Sequence, residues 1–92
     1  MSVNPGQIVV SRAGRDAGRK FVVINVIDNL FVEIADGSLR RVEKPKKKKI
    51  RHLVITDEKA EGLLERLERN GRLTNADIRK AIAGLNALRD NE

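Results

Sequence analysis

The sequence contains no cysteine, tryptophan or tyrosine, and only two phenylalanines among 92 residues. Without cysteine there is no disulfide framework, no thiolate nucleophile and no cysteine-ligated zinc, and a cytoplasmic setting is the natural expectation. So few rings leave little on which a nucleic-acid binder could stack bases. The one histidine, His52, has no second imidazole with which to build a metal site. The carboxylates follow helix-surface spacing rather than converging on a pocket. No catalytic residue, metal, cofactor or small-molecule substrate is therefore expected. No run of about 18 apolar residues occurs, and the N-terminus MSVNPGQIVV lacks a basic start followed by a long apolar stretch. Membrane spanning and secretion are thus both disfavoured.

Positive charge is plentiful. Nineteen Lys and Arg against thirteen Asp and Glu give a formal net charge of +6. Residues 1–56 carry 12 cations and 5 anions, net +7, whereas residues 57–92 carry 7 and 8, net −1. A basic balance suits a polyanionic partner, and the split assigns that surface to the first part. A chain of this length forms about one small domain, too small for a large cleft.

The first part has strand periodicity. Ile8 to Ser11 is a short β-rich run, and FVVINVI, Phe21 to Ile27, places Val22, Ile24 and Val26 on one side and Phe21, Val23 and Ile27 on the other. Both of its faces need cover. Asp28-Asn29 marks a turn, after which Leu30, Val32 and Ile34 alternate with Phe31, Glu33 and Ala35. Asp36-Gly37 predicts a hairpin, because a type I′ turn needs positive φ at both central residues. Its return strand is expected over Ser38 to Glu43, with broken alternation at Leu39 and Val42 that fits a bulge or an edge. Pro45 and Lys46 to Lys49 then interrupt the sheet pattern, and IRHLVI, Ile50 to Ile55, resumes it.

The period changes after Thr56. Thr56 can cap a helix with Asp57 and Glu58 in its first turn, and Ala60, Leu63, Leu64 and Leu67 recur on one face up to Asn70-Gly71. Thr74 and Asp77 resemble a capping box ahead of the stripe Ile78, Ala81, Ile82, Leu85 and Leu88. The expected architecture is mainly β followed by α. A small barrel of four to five strands over 1–56 is covered by a helical hairpin over 57–92, as one compact unit. The alternative leaves those helical stripes for a dimer or another protein.

AGRDAGRKF, Ala13 to Phe21, invites comparison with a phosphate-cradling loop. A P-loop needs four residues between its glycines and a Lys-Ser/Thr after the second. Here three residues separate Gly14 from Gly18, Arg19 follows, and no metal-binding hydroxyl is in place. Two readings stay open: a tight turn whose glycines relax the backbone, and a loop whose glycines let amides approach phosphates while guanidinium forks bind them.

The span PGQIVVSRAGRDAGRKFVVINVIDNLFVEIADGSLRRVEKPKKKKIRHL, Pro5 to Leu53, resembles the KOW-containing large-subunit ribosomal protein family, number fourteen of the archaeal and eukaryotic type, with its small bacterial relatives. The resemblance covers about half the chain. It is carried by Gly6 with QIVVS, Ala13-Gly14-Arg15, Ala17-Gly18-Arg19, the valine-rich strand closed by Asp28, Ala35-Asp36-Gly37 with Arg40, Pro45-Lys46 with the lysine run, and His52-Leu53. It implies an SH3-like KOW barrel that binds ribosomal RNA, with ribosomal proteins as neighbours and a cytoplasmic, ribosome-associated location. The RNA-binding residues it implies are Arg15, Arg19 and Lys20 in the Gly14/Gly18 loop, Arg40 and Arg41, and Lys46, Lys47, Lys48 and Lys49. His52 is carried only as part of the motif, as a packing or hydrogen-bonding residue. Charge without aromatics argues for phosphate and shape recognition rather than base stacking. The competing class is a protein adaptor, a KOW barrel docked on a ribosomal protein or a transcription elongation complex. Exposed Leu67 and Leu85 would mark it.

Overall fold

The computed structural model describes residues 3–59 and 74–90. Strands β1 (Gln7–Ser11), β2 (Lys20–Val26), β3 (Phe31–Ala35), β4 (Lys46–Lys49) and β5 (Leu53–Lys59) form one antiparallel sheet in the order β4-β3-β2-β1-β5. The sheet curls into a half-barrel, and helix α1 (Asn75–Asp90) follows. Among the described residues no helix is long and apolar enough to cross a membrane.

Both faces of β2 are covered, as its apolar alternation requires. Val22 and Ile24 pack with Ile8, Ala35, Val42 and the α1 residues Ile78, Ala81 and Ile82. Phe21 and Val23 pack with Val9, Val32, Ile34 and Leu53 on the other face. Val26 belongs to this second cluster, opposite to its expected side. The β2–β3 register shifts between Val23 and Asn25. A one-residue irregularity reverses every side chain beyond it, which is why simple alternation misplaces Val26.

Three local expectations are corrected. Asp36-Gly37 is not a type I′ turn, because Gly37 has φ 81° while no residue other than glycine has positive φ among the described residues. Instead, the Asp36 carboxylate accepts the amides of Ser38 and Arg40, and the amides of Asp36 and Gly37 donate to the Arg40 carbonyl. Residues 38–43 form no strand, and the strand that returns along β3 is the lysine run itself, with Lys46 opposite Ile34 and Lys49 opposite Phe31. β4 is an edge strand, where lysines are tolerated and protect against further pairing. Ile50 to His52 is a 3-10 turn, so the last strand starts at Leu53.

β5 runs on to Lys59, so Asp57 and Glu58 are strand residues rather than a helix start. The Thr56 hydroxyl donates to the Ile8 carbonyl at 2.6 Å instead of capping a helix. Long-range pairing with β1 prevails here over a local capping signal. The remainder of that expected helix, and with it the helical hairpin, lies outside the described residues. The second capping box is present: the Asp77 amide donates to Thr74 Oγ1 at 3.1 Å and the Thr74 amide to Asp77 Oδ2 at 3.2 Å. Ile78, fully buried, leads the α1 stripe onto the sheet. The side chains of Leu67, Leu85 and Leu88 lie outside the described residues.

Candidate nucleic-acid interface

The Gly-Arg loop between β1 and β2 is closed at its neck by backbone bonds. The Ser11 amide donates to the Arg19 carbonyl at 3.0 Å and the Gly18 amide to the Ser11 carbonyl at 2.7 Å. Gly14 to Asp16 form a 3-10 turn, entered and left through positive φ at Gly14 (74°) and Gly18 (86°). The Ala17 amide donates to Gly14 and the Arg19 amide to Asp16. The amides of Ala17, Gly18 and Arg19 are thus already engaged by backbone carbonyls.

Alternation along β4 divides the four lysines into two pairs. Lys46 and Lys48 stand opposite Ile34 and Val32, on the face that carries the core, and their stems cover its margin. Their ammonium groups then reach the Gly-Arg loop. Lys46 Nζ donates to Asp16 Oδ2 at 2.7 Å and Lys48 Nζ to the Ala13 carbonyl at 3.3 Å. Lys47 and Lys49 alternate to the other face and are exposed, with Lys47 Nζ 4.4 Å from the centroid of the Phe31 ring. One lysine pair therefore ties edge strand to loop, and the other faces solvent.

The remaining expected residues divide in the same way. Arg15 and Arg40 are exposed. Arg19 is half-buried and pairs with the buried Asp36 at 3.1 Å, holding the loop to the end of β3. Lys20 is half-buried at the head of β2, opposite Val10, and is engaged by a partner. Arg41 pairs with Glu43 at 3.4 Å, where both are well exposed, a contact worth little. Helix α1 fixes the loop that presents Arg40 and Arg41. Asn75 accepts the Val42 amide at 2.8 Å and donates to Glu43 at 2.6 Å, while Arg79 donates to the Gly37 carbonyl at 2.6 Å.

Two titratable groups report how closely these cations cluster. The Asp16 carboxyl is held below its usual value first by the hydrogen bond from Lys46, against an opposing push from burial, and further by the charges of Lys46, Arg40 and Lys48. The His52 imidazole is pushed below its usual value first by desolvation, then by Arg51, Lys48, Lys49 and Arg12. Lys48 is common to both neighbourhoods, and cations of the β3–β4 loop, β4, the 3-10 turn and the end of β1 act on these two groups. Arg12 and Arg51, two cations that sequence reasoning did not single out, also act on His52. Each flanks a motif residue, and their two segments meet through the β1–β5 pairing of Ser11 with Leu53 and the bond from the Arg12 amide to the His52 carbonyl at 2.9 Å.

No protein-family model matches the chain. It is similar to several proteins named large ribosomal subunit protein eL14. With that of Desulfurococcus amylolyticus it shares 38% identity over 56 residues, 61% of this chain and 58% of the relative. With that of Pyrobaculum arsenaticum it shares 37% over 59 residues, 64% of this chain and 57% of the relative. The chain thus spans little more than half the length of these two curated relatives. The similarity to the eL14 of Sulfolobus acidocaldarius extends over 81 residues at 30% identity, 88% of this chain and 77% of the relative. All three relatives are ribosomal components rather than enzymes. With 30% identity and more than two-thirds of that last relative spanned, the chain belongs to the eL14 family of large ribosomal subunit proteins.

Proposed function

We propose that this protein binds ribosomal RNA as a component of the large subunit, holding the phosphate backbone with side chains of the Gly-Arg loop and the basic rim. The observation that carries this reading is that β4 brings Lys46 and Lys48 onto the Gly-Arg loop, so that exposed Arg15, Arg40, Lys47 and Lys49 from three separate segments stand beside one another. Like charges gathered at a rim favour a polyanion, whose condensed counterions are released when Lys and Arg neutralise its phosphates. Arg15, Arg40, Lys47 and Lys49 make contacts to phosphate; Arg19, Lys46 and Lys48 hold the loop in the shape that presents them. Arg41 and Lys20 add charge at the margins. The half-barrel, whose last strand ends at Lys59, is an SH3-like KOW barrel, with the C-terminal remainder of the chain as part of the same unit. Its neighbours are ribosomal proteins, and its place is the cytoplasmic ribosome.

The test is ultraviolet crosslinking of the tagged protein in its own cells, with sequencing of the attached RNA. Reads concentrated at one ribosomal RNA locus are expected. No enrichment over an untagged control would favour the adaptor reading instead. In solution, neutralising about five phosphates gives a log–log salt slope of about −3.5 to −4.5. A slope near −1 would exclude an extended phosphate surface.

A further inference from the structure

A hollow of about 420 Å³ lies beside the β2–β3 turn, lined by Asn29, Leu30, Phe31, Lys49, Ile50 and Arg51. Its walls are held in place. Asp28 Oδ1 accepts the amides of Leu30 and Phe31 at 2.8 and 2.9 Å, and the Ile50 amide donates to the Leu30 carbonyl at 2.8 Å. Leu30 is nevertheless 67% exposed, an apolar side chain kept in water by a rigid turn. Beside it stand the half-buried Phe31 and Ile50, the exposed Asn29 amide, and two exposed cations, Lys49 and Arg51.

We infer that this hollow takes one unpaired nucleobase of the bound RNA. The inference rests on the RNA-binding reading above and adds base contact to it. A base offers a planar apolar body to Leu30, Phe31 and Ile50, and a polar edge to the Asn29 amide, which can both donate and accept. Phosphates on either side of that base meet Lys49 and Arg51. Continuity favours RNA over an acidic peptide, because Lys49 belongs to β4, whose Lys46 and Lys48 reach the Gly-Arg loop of the proposed RNA-binding surface. Phe21, the other phenylalanine, is fully buried, so Phe31 is the phenylalanine able to stack. Lys47, placed over the Phe31 ring, steadies it through a cation–π contact.

The test compares short single-stranded oligoadenylate with an abasic ribose–phosphate strand of equal charge, using the full chain at low salt. The base-bearing strand is expected to bind about tenfold more tightly, the scale of one base stacked on an aromatic side chain. Phe31→Leu should remove that difference and keep the apolar volume, whereas Arg15→Gln should weaken both strands alike. The chain has no tryptophan, so Phe31→Trp adds a single fluorophore that the base-bearing strand quenches and the abasic strand does not. Equal affinity for the two strands with no quenching would overturn the base pocket and leave the phosphate grip standing. Binding of neither strand would overturn the RNA reading and the pocket with it. A fluorescence response of the Phe31→Trp variant to an acidic, leucine-containing peptide but not to oligoadenylate would give the hollow to a protein.

Discussion

At Gly37 the β3–β4 loop passes against the first turn of α1, so close that a side chain has nowhere to go. A Cβ placed there would lie 2.4 Å from the Asn75 carbonyl oxygen, 2.9 Å from Arg79 Cγ and 3.3 Å from the Arg79 amide nitrogen, at a φ of +81°. Gly37→Ala therefore costs about 1 kcal/mol for the left-handed backbone, and the helix must also move, since the nearest atom is backbone. That retreat loosens the Asn75–Val42 and Arg79–Gly37 hydrogen bonds, each worth about 1 kcal/mol, and the packing of Ile78. The expected loss is about 2–4 kcal/mol, a fall in Tm of roughly 10–25 °C for a domain of this size. Gly18→Ala is the control. Its φ is +86° but nothing lies within 4 Å of the added Cβ, so only the backbone cost of about 1 kcal/mol should appear. Thermal and denaturant unfolding of both variants measures the difference. Equal losses would refute the idea that contact with α1 sets the β3–β4 loop.

The same geometry makes further predictions. Lys47→Gln with Lys49→Gln should flatten the log–log salt slope for RNA by about 1.4–1.8 and alter stability by less than about 0.5 kcal/mol. An unchanged slope would remove β4 from the interface. Lys46→Met should instead destabilise the fold by about 1–3 kcal/mol, by leaving the Asp16 carboxylate, 12% exposed, without its ammonium partner. Asp16 has a folded pKa below its ordinary value of 3.8, so its stabilisation is complete above that value and disappears as pH falls through the folded one. Wild type and Lys46→Met should accordingly converge in stability under strongly acidic conditions, and a constant gap down to the lowest pH would contradict the pairing. His52, held below its usual pKa first by desolvation and then by neighbouring cations, should titrate at higher pH once RNA phosphates offset those cations. RNA then binds more tightly as pH falls through the raised value. The single histidine makes this readable from its ring-proton NMR signal, and an unmoved midpoint would place RNA elsewhere.

Much of the fold was legible because its signals are local and apolar. The two-faced β2, the Asp28 turn and the Thr74–Asp77 box each follow from neighbouring residues whose preferences agree. The errors fall where a distant partner decides. Lysines are poor strand formers, yet Lys46 to Lys49 form β4 because β3 offers a free edge and Asp16 a counter-charge. Thr56 with Asp57 and Glu58 has the local chemistry of a helix start, and β1 claims it as a strand. Asp36-Gly37 has hairpin chemistry, but the Asp36 carboxylate is drawn to Ser38, Arg40 and Arg19, which opens a longer loop.

The charge split, the rarity of rings, the two-sided apolar strand and the motif pattern that carries the family resemblance depend on residue type and spacing alone, and so can be read before any fold is known. Tertiary structure decided which cations hold the molecule together and which are exposed. Arg19 and Lys46 meet carboxylates 17 and 30 residues away along the chain, while Arg12 is bonded through its amide to His52, beside Arg51, where β1 meets β5. A charge's role depends on what the fold places within a few ångströms of it, and the chain's order does not encode that distance.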